Sequence, residues 1–292
     1  FESILGNNLT KDEAFKVEDK IRHNLDRNKN GLITFKDKNL FVTANDGNYS
    51  LGQAVLKANS DWNIFLDSIT SNETVNIDKT LHLYTHKACG IGKIKMISKD
   101  QILYLHGNLY LSEGLELIEG FIETSQFDTL IVYRNSMNTV LNSGNKLSFV
   151  RGPLYIRYIN LPENYTIIDT IPSGLGDDYR PFYINSTWPA GIIFFDAGFK
   201  SYNGKMPLLN LPSDISNISD IRYWQIFNPH NKPSFTINKV GFVYDTLVIN
   251  DLANDPSNLR IVYRDISTIN NLGGSGNFAN SGSIWSDKGN PG

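Results

Sequence analysis

The fold class turns on the segment Thr74-Val-Asn-Ile-Asp-Lys-Thr-Leu-His-Leu-Tyr84 and, downstream of it, Gln101-Ile-Leu-Tyr-Leu-His106. Successive side chains of an extended strand point to opposite sides, so Leu81 and Leu83 face one way while His82 and Tyr84 face the other. The same texture runs through the neighbouring sequence. Strands are predicted at residues 74–77, 80–84, 91–97, 101–106, 109–111, 115–118, 129–134, 146–151 and 153–160. In the last of these Leu154 and Ile156 oppose Tyr155, Arg157 and Ile159. Period-two alternation with short, turn-rich gaps predicts half-buried strands in a mostly antiparallel system. A stacked, β-helix-like arrangement is the alternative, but no repeat of fixed length supports it.

Leu161-Pro-Glu-Asn-Tyr165 breaks the series. A second β region follows, with strands predicted at 166–171, 191–195, 234–243, 246–249 and 259–264, and a short helix within 213–227. The last twenty residues are rich in Gly, Ser and Asn and read as a flexible tail or an extended strap.

Upstream the pattern is helical. Thr10-Lys-Asp-Glu13 offers an N-cap with acids in the first turn, and Ala14, Val17, Ile21 and Leu25 recur at helical spacing. A second helix is predicted from Ser50, with Leu51, Val55, Ala58, Trp62, Phe65 and Ile69 spaced 4, 3, 4, 3, 4. That spacing fits an intermolecular bundle or a single amphipathic helix lying on a neighbouring domain. The expected architecture is therefore mainly β: a short N-terminal helical stem followed by two mostly antiparallel β domains. The expected boundaries are 1–71 for the stem, 72–160 and 161–270 for the β domains, and 271–292 for the tail.

The 292 residues carry a formal net charge of −3 with 40% hydrophobic and 12% aromatic content, which describes a folded protein. Lys and Arg are scattered, so no nucleic-acid footprint is expected. No apolar run reaches about 18 residues, so no membrane span is expected. The chain starts at Phe1 and reads as a processed chain or an excerpt, and its single cysteine, Cys89, forms no intrachain disulfide.

The sharpest local motif is Asp26-Arg-Asn-Lys-Asn30-Gly-Leu-Ile-Thr34-Phe-Lys-Asp37. Asp26, Asn28, Asn30, Thr34 and Asp37 stand at loop positions 1, 3, 5, 9 and 12 of an EF-hand, with the Leu32 carbonyl at 7. Alternate side chains of such a loop converge on one hard cation, so Ca2+ is the expected cofactor. Asp37 replaces the usual Glu and reaches less far, which implies weak affinity, roughly 10⁻⁴–10⁻³ M. The loop resembles those of dockerin modules. Its competing reading is an Asn/Gly turn in an Asn-rich chain.

His82, His86 and Cys89 do not have a standard zinc spacing, and read as a surface imidazole pair beside a buried thiol. Glu113, Glu116, Glu119 and Glu123 alternate with apolar residues and read as the wet side of strands, not as a glycosidase pair. No Gly-x-Ser-x-Gly elbow or phosphate-cradling loop occurs, so no enzymatic activity is expected. Aromatic residues with polar handles are frequent in the second β region. Among them Trp188, Tyr202 and Trp224 are the candidates for saccharide binding, where ring faces meet the apolar side of a sugar.

At residues 165–204 a family resemblance emerges. Thr166-Ile-Ile-Asp-Thr-Ile-Pro-Ser-Gly174 is followed by Tyr179-Arg-Pro181 and then Gly191-Ile-Ile-Phe-Phe-Asp-Ala-Gly198. This resembles the C-terminal β domains of tail-fibre and baseplate proteins of phages that infect Gram-positive bacteria, except that residues 175–178 are inserted before the Tyr-Arg-Pro. The resemblance implies an extracellular virion-tail protein that is a homotrimer, joins other baseplate or tail proteins, and recognises host cell-wall saccharide or scaffolds the protein that does. A secreted or surface glycan-binding module with a calcium loop, and a tailspike-type polysaccharide depolymerase, are the alternatives.

Overall fold

β4 (Leu81–His86) lies between β2 (Trp62–Asp67) and the last part of β5 (Cys89–His106), parallel to both. That arrangement sets the whole architecture. The computed structural model describes residues 10, 12–13, 38–43, 50–135, 140–141, 144–188, 194–204, 206, 211, 213–216, 218–219, 222–227, 237–245, 260–264, 269–274 and 281–287.

β5 and β6 (Leu109–Glu123) each bend through three successive segments, and each segment has its own parallel partners. The first face stacks β1 (Asn39–Thr43), β2, β4 and the ends of β5 and β6. It continues through β9 (Val150–Arg151) to β12 (Ser173–Leu175). The second face stacks the starts of β5 and β6, then β7 (Leu130–Arg134) and β10 (Leu154–Ile159). The third face stacks β3 (Thr74–Ile77), the middles of β5 and β6, and β8 (Val140–Leu141). The chain is a three-faced parallel β-solenoid over this region.

Interior columns explain why these residues stack. Leu40, Ile64, Leu83 and Leu105 are register partners in turn, all at most 2% exposed. Ile91, Leu111, Val132 and Ile156 form a second column, each 0% exposed. Each such side chain stabilises the fold by about 1.5–3 kcal/mol of removed apolar surface.

Most of the described corners that bound the first face share one backbone device. Ser68, Lys87, Gly107 and Gly152 follow its strands with positive φ, and Lys38, Asp61, Asp100 and Gly120 precede them likewise. A single left-handed residue turns the chain from one face to the next. At Gly107, where φ is +104°, an added Cβ would stand 2.8 Å from the Thr85 carbonyl oxygen, so only glycine fits.

α1 (Leu51–Lys57) packs against β1, β2 and β3 at the start of the stack and buries Leu51, Ala54 and Val55. Ser50 caps it by accepting from the Gln53 amide at 3.2 Å. The Glu73 carboxylate accepts from the Leu51 and Gly52 amides at 2.9 and 3.1 Å, satisfying donors that a helix start leaves open.

At the other end β10 changes partner type and pairs antiparallel with β15 (Phe194–Asn203), which pairs with β16 (Arg222–Phe227). β11 (Thr166–Ile171), β14 (Phe182–Thr187), β17 (Ile237–Asp245) and β20 (Ser281–Trp285) form a separate antiparallel sheet. Among the described residues three short strands remain: β13 (Asp178–Tyr179), β18 (Ile261–Arg264) and β19 (Ile269–Gly273). One continuous apolar core runs from Leu40 to Phe199.

Two expectations are corrected here. The chain is mainly β, but the strands of residues 62–158 are mostly parallel, so it is not a pair of mostly antiparallel domains. A solenoid face has water on one side and core on the other, which gives the same alternation as an antiparallel sheet. Its repeat is not of fixed length: partners are 19 residues apart at Ile64 and Leu83, 22 at Leu83 and Leu105, and 28 at Ile122 and Val150.

The helical stem is corrected as well over residues 51–69; Ala14, Val17, Ile21 and Leu25 lie outside the described residues. The run from Leu51 to Ile69 is helical only through Lys57; Ala58 takes an extended conformation (ψ 147°), and Asp61 at φ +63° leads into β2. Of the heptad positions, Leu51, Val55, Ala58 and Ile69 are buried in the solenoid core, while Trp62 and Phe65 lie half-exposed on β2. Burial against the neighbouring coils overrides a periodicity that a helix alone would have satisfied. At the N-terminus Thr10 and Glu13 form a capping box, with the Thr10 amide donating to Glu13 Oε2 at 2.9 Å. Within the insert expected to hold a short helix, residues 222–227 form β16 instead.

Candidate functional site: the outer surface of the first face

Parallel in-register coils place outward side chains above one another at the strand spacing of about 4.8 Å. On the first face this builds a ladder of rings. Phe41, Phe65, Tyr84 and His106 are successive register partners. Their centroids are 4.9, 4.7 and 4.3 Å apart, with planes within 17° of parallel. All four are half-exposed.

A second row runs alongside through Asn39, Asn63, His82, Tyr104, Glu123 and Arg151. Asn63 donates to Asn39 at 2.8 Å, and His82 stacks on Tyr104 at 4.6 Å. His82 Nδ1 and His106 Nε2, 3.3 Å apart, tie the two rows together. Beyond them His86 sits between two carboxylates, with Nδ1 3.1 Å from Asp67 and Nε2 2.8 Å from Asp12. The rings face one another along the stack, so the surface offers their edges to solvent, together with imidazole, amide and carboxylate groups that can bond sugar hydroxyls.

At the Arg151 end the face opens into a depression of about 310 Å³ lined by Asp100, Ile102, Phe121, Lys146, Arg151 and Asp177. The Arg151 guanidinium carbon lies 3.7 Å from the centroid of the Phe121 ring, and Nη2 donates to Asp177 Oδ1 at 2.6 Å.

The residues singled out from the sequence fall in several places. Trp188 is 1% exposed and belongs to the core, so it offers no face to a ligand. Trp224 is half-buried, stacked on Phe242 at 4.4 Å and edge-on to Phe182. Tyr202 lies on β15, stacked on Tyr223 at 4.7 Å and donating to Gln225 at 2.8 Å, with the Lys200 ammonium 4.6 Å from its ring centroid. Tyr202 and Trp224 are thus set on different surroundings and far in sequence from the ladder.

The calcium-loop candidates Asp26, Asn28, Asn30, Leu32, Thr34 and Asp37 lie outside the described residues. His82 and His86 both point outward from β4, whereas Cys89 is 0% exposed and burial pushes its thiol up from the ordinary value. Glu113, Glu116, Glu119 and Glu123 are half-exposed on β6, and Glu116 pairs with Lys95 at 2.9 Å. The Tyr-Arg-Pro turn is held structurally: Arg180, 5% exposed, donates to Asp178, to the Tyr202 carbonyl and to Asn203.

Sequence reasoning noted the outward pair His82 and Tyr84 but missed the ladder they belong to. The signal was present as an aromatic or His at alternate outward positions of several strands. It acquires meaning only once those strands are known to be parallel and in register. No protein-family model matches the chain, and neither a curated protein nor a solved structure matches it significantly.

Proposed function

We propose that this chain is an adhesion component of an extracellular assembly, of the tail-fibre or baseplate class that residues 165–204 resemble, and that it binds a cell-wall polysaccharide along the outer surface of its first face. The observation that carries this reading is the half-exposed Phe41–Phe65–Tyr84–His106 ladder, flanked by His82 and Tyr104. Its length runs across successive coils, which suits an extended polymer more than a small compact ligand. Removing one central ring should cost affinity at the level of an interface hot spot.

Tyr84→Ala is expected to weaken binding of purified Gram-positive cell-wall polysaccharide about tenfold or more, read by isothermal titration calorimetry. Tyr202→Ala serves as the comparison. Unchanged affinity in Tyr84→Ala with a loss in Tyr202→Ala would move the site to β15. Shortening of the polymer during the titration would favour a depolymerase.

Self-association is part of the proposal. Ile97, Ile118 and Leu147, 37%, 47% and 52% exposed, are outward apolar residues of successive coils that association between copies would cover. Light scattering is expected to give a trimer of the 32.9 kDa chain. If loop 26–37 holds calcium and supports assembly, chelation dissociates that trimer. A monomer with and without chelator would remove both the trimer and its calcium dependence.

A further inference from the structure

We propose that the depression at the Arg151 end of the first face is a subsite for a carboxylate carried by the bound polysaccharide, as on a uronic acid unit, and that this carboxylate displaces Asp177 from the Arg151 guanidinium. The inference rests on the ladder reading, because Arg151 closes the row that contains His82, Tyr104 and Glu123. A polymer lying along the ladder is delivered to it.

Three observations converge on Arg151. Its side chain is only 14% exposed and its guanidinium lies over the Phe121 ring at 3.7 Å, so the planar fork is held in one orientation. Its Nε is buried and has no hydrogen-bond partner, so the fork has an unused donor. Its carboxylate partner is the opposite in character. The Asp177 side chain is 96% exposed and engages the fork through one oxygen, Oδ1, at 2.6 Å. It sits beside Gly176, at φ +57°, in the turn between β12 and β13.

Only the Asp177 end of this single-point pair is exposed, so its carboxylate can return to water without being stranded in the core. A ligand carboxylate can instead meet the guanidinium with two oxygens, the geometry that makes Arg–carboxylate pairs strong. With Asp177 released, Arg151 and Lys146 remain in the walls of the depression with Asp100, and Glu123 stands beside Arg151 in register, so the exchange rests on the guanidinium geometry and not on net charge.

The test compares a hexamer of galacturonic acid with the neutral hexamer made by reducing its carboxyl groups, titrated against the full chain. Wild type is expected to bind the acidic hexamer about tenfold tighter, an advantage that added salt erodes. Asp177→Asn is expected to bind the acidic hexamer about two- to fivefold tighter still, since it removes the competing carboxylate. A purely structural Asp177 would not produce that gain. Arg151→Gln is expected to bind the two hexamers equally. Because Asp177 is exposed, its variant reports even if Arg151→Gln fails to fold.

Equal binding of both hexamers by wild type, with both weakened by Tyr84→Ala, would overturn the carboxylate subsite and leave the ladder standing. Asp177→Asn without any gain would overturn the displacement. Binding of neither hexamer would overturn the subsite together with the ladder reading on which it rests.

Discussion

Leu111→Ala is expected to lower the unfolding free energy by about 3–4 kcal/mol, within the range for a buried leucine that leaves a cavity. Leu111 is 0% exposed and stands in the middle of the interior column between Ile91 and Val132, both also 0% exposed. Its neighbours belong to the coils before and after it, and strands above and below hold those coils at a fixed spacing. The void therefore cannot close by a local shift. For a cooperative unit of 150–250 residues this corresponds to a fall in Tm of about 10 °C, measurable by circular dichroism. Glu113→Ala, two residues along the same strand and half-exposed, is the control and should change stability by less than about 0.5 kcal/mol. A loss below about 1 kcal/mol in Leu111→Ala, or an equal loss in the control, would contradict a packed solenoid interior.

The second large effect is electrostatic. Arg134 at the end of β7 donates from Nε to Asp169 Oδ1 at 3.3 Å, joining the solenoid to β11 of the antiparallel sheet. The Asp169 side chain is 7% exposed and that of Arg134 23%. Tyr158, 0% exposed, lies beside them, and its phenol is pushed well up by burial first and by the Asp169 charge second. Arg134→Met leaves Asp169 buried without its cation. The expected cost is about 3 kcal/mol, at the low end for breaking a buried pair because Arg134 keeps some solvent access. Adding Asp169→Asn removes the stranded charge and should recover a large part of that loss in chemical denaturation. Two additive losses instead of a recovery would show that the pair does not act as a unit.

Much of the local structure was legible in the sequence. Residues 74–77 and 166–171 were predicted as strands with the bounds the structure has for β3 and β11. Alternation exposed which side of each strand faces the core: Leu81 and Leu83 are buried, His82 and Tyr84 half-exposed. The helix predicted from Ser50 begins where α1 does. These features depend on residues within a few positions of one another, so local chemistry is sufficient to write them.

Strand direction was not legible. An outward-facing strand reads the same whether its neighbour runs parallel or antiparallel, because the alternation records only which side meets water. Coil lengths that vary from 19 to 28 residues erased the repeat that would have separated the two. One clue was available in outline. Ser68, Lys87, Gly107 and Gly152 take the same left-handed corner after a strand, but only two of the four are glycine, so composition does not mark the set.

The candidate site shows the same division. Tyr84 and His82 could be assigned to water from their own strand, but their alignment with Phe65, Tyr104 and His106 comes from registers that join residues about twenty positions apart. Trp188 is the converse: an aromatic residue suited to sugar binding by type, yet buried by the packing around it. Side-chain alternation and caps are properties of a short segment, so the amino-acid order alone settles them. Parallel stacking, the ring ladder and the Arg151 depression arise from contacts between distant segments, whose free energy exists only once the coils have closed on one another.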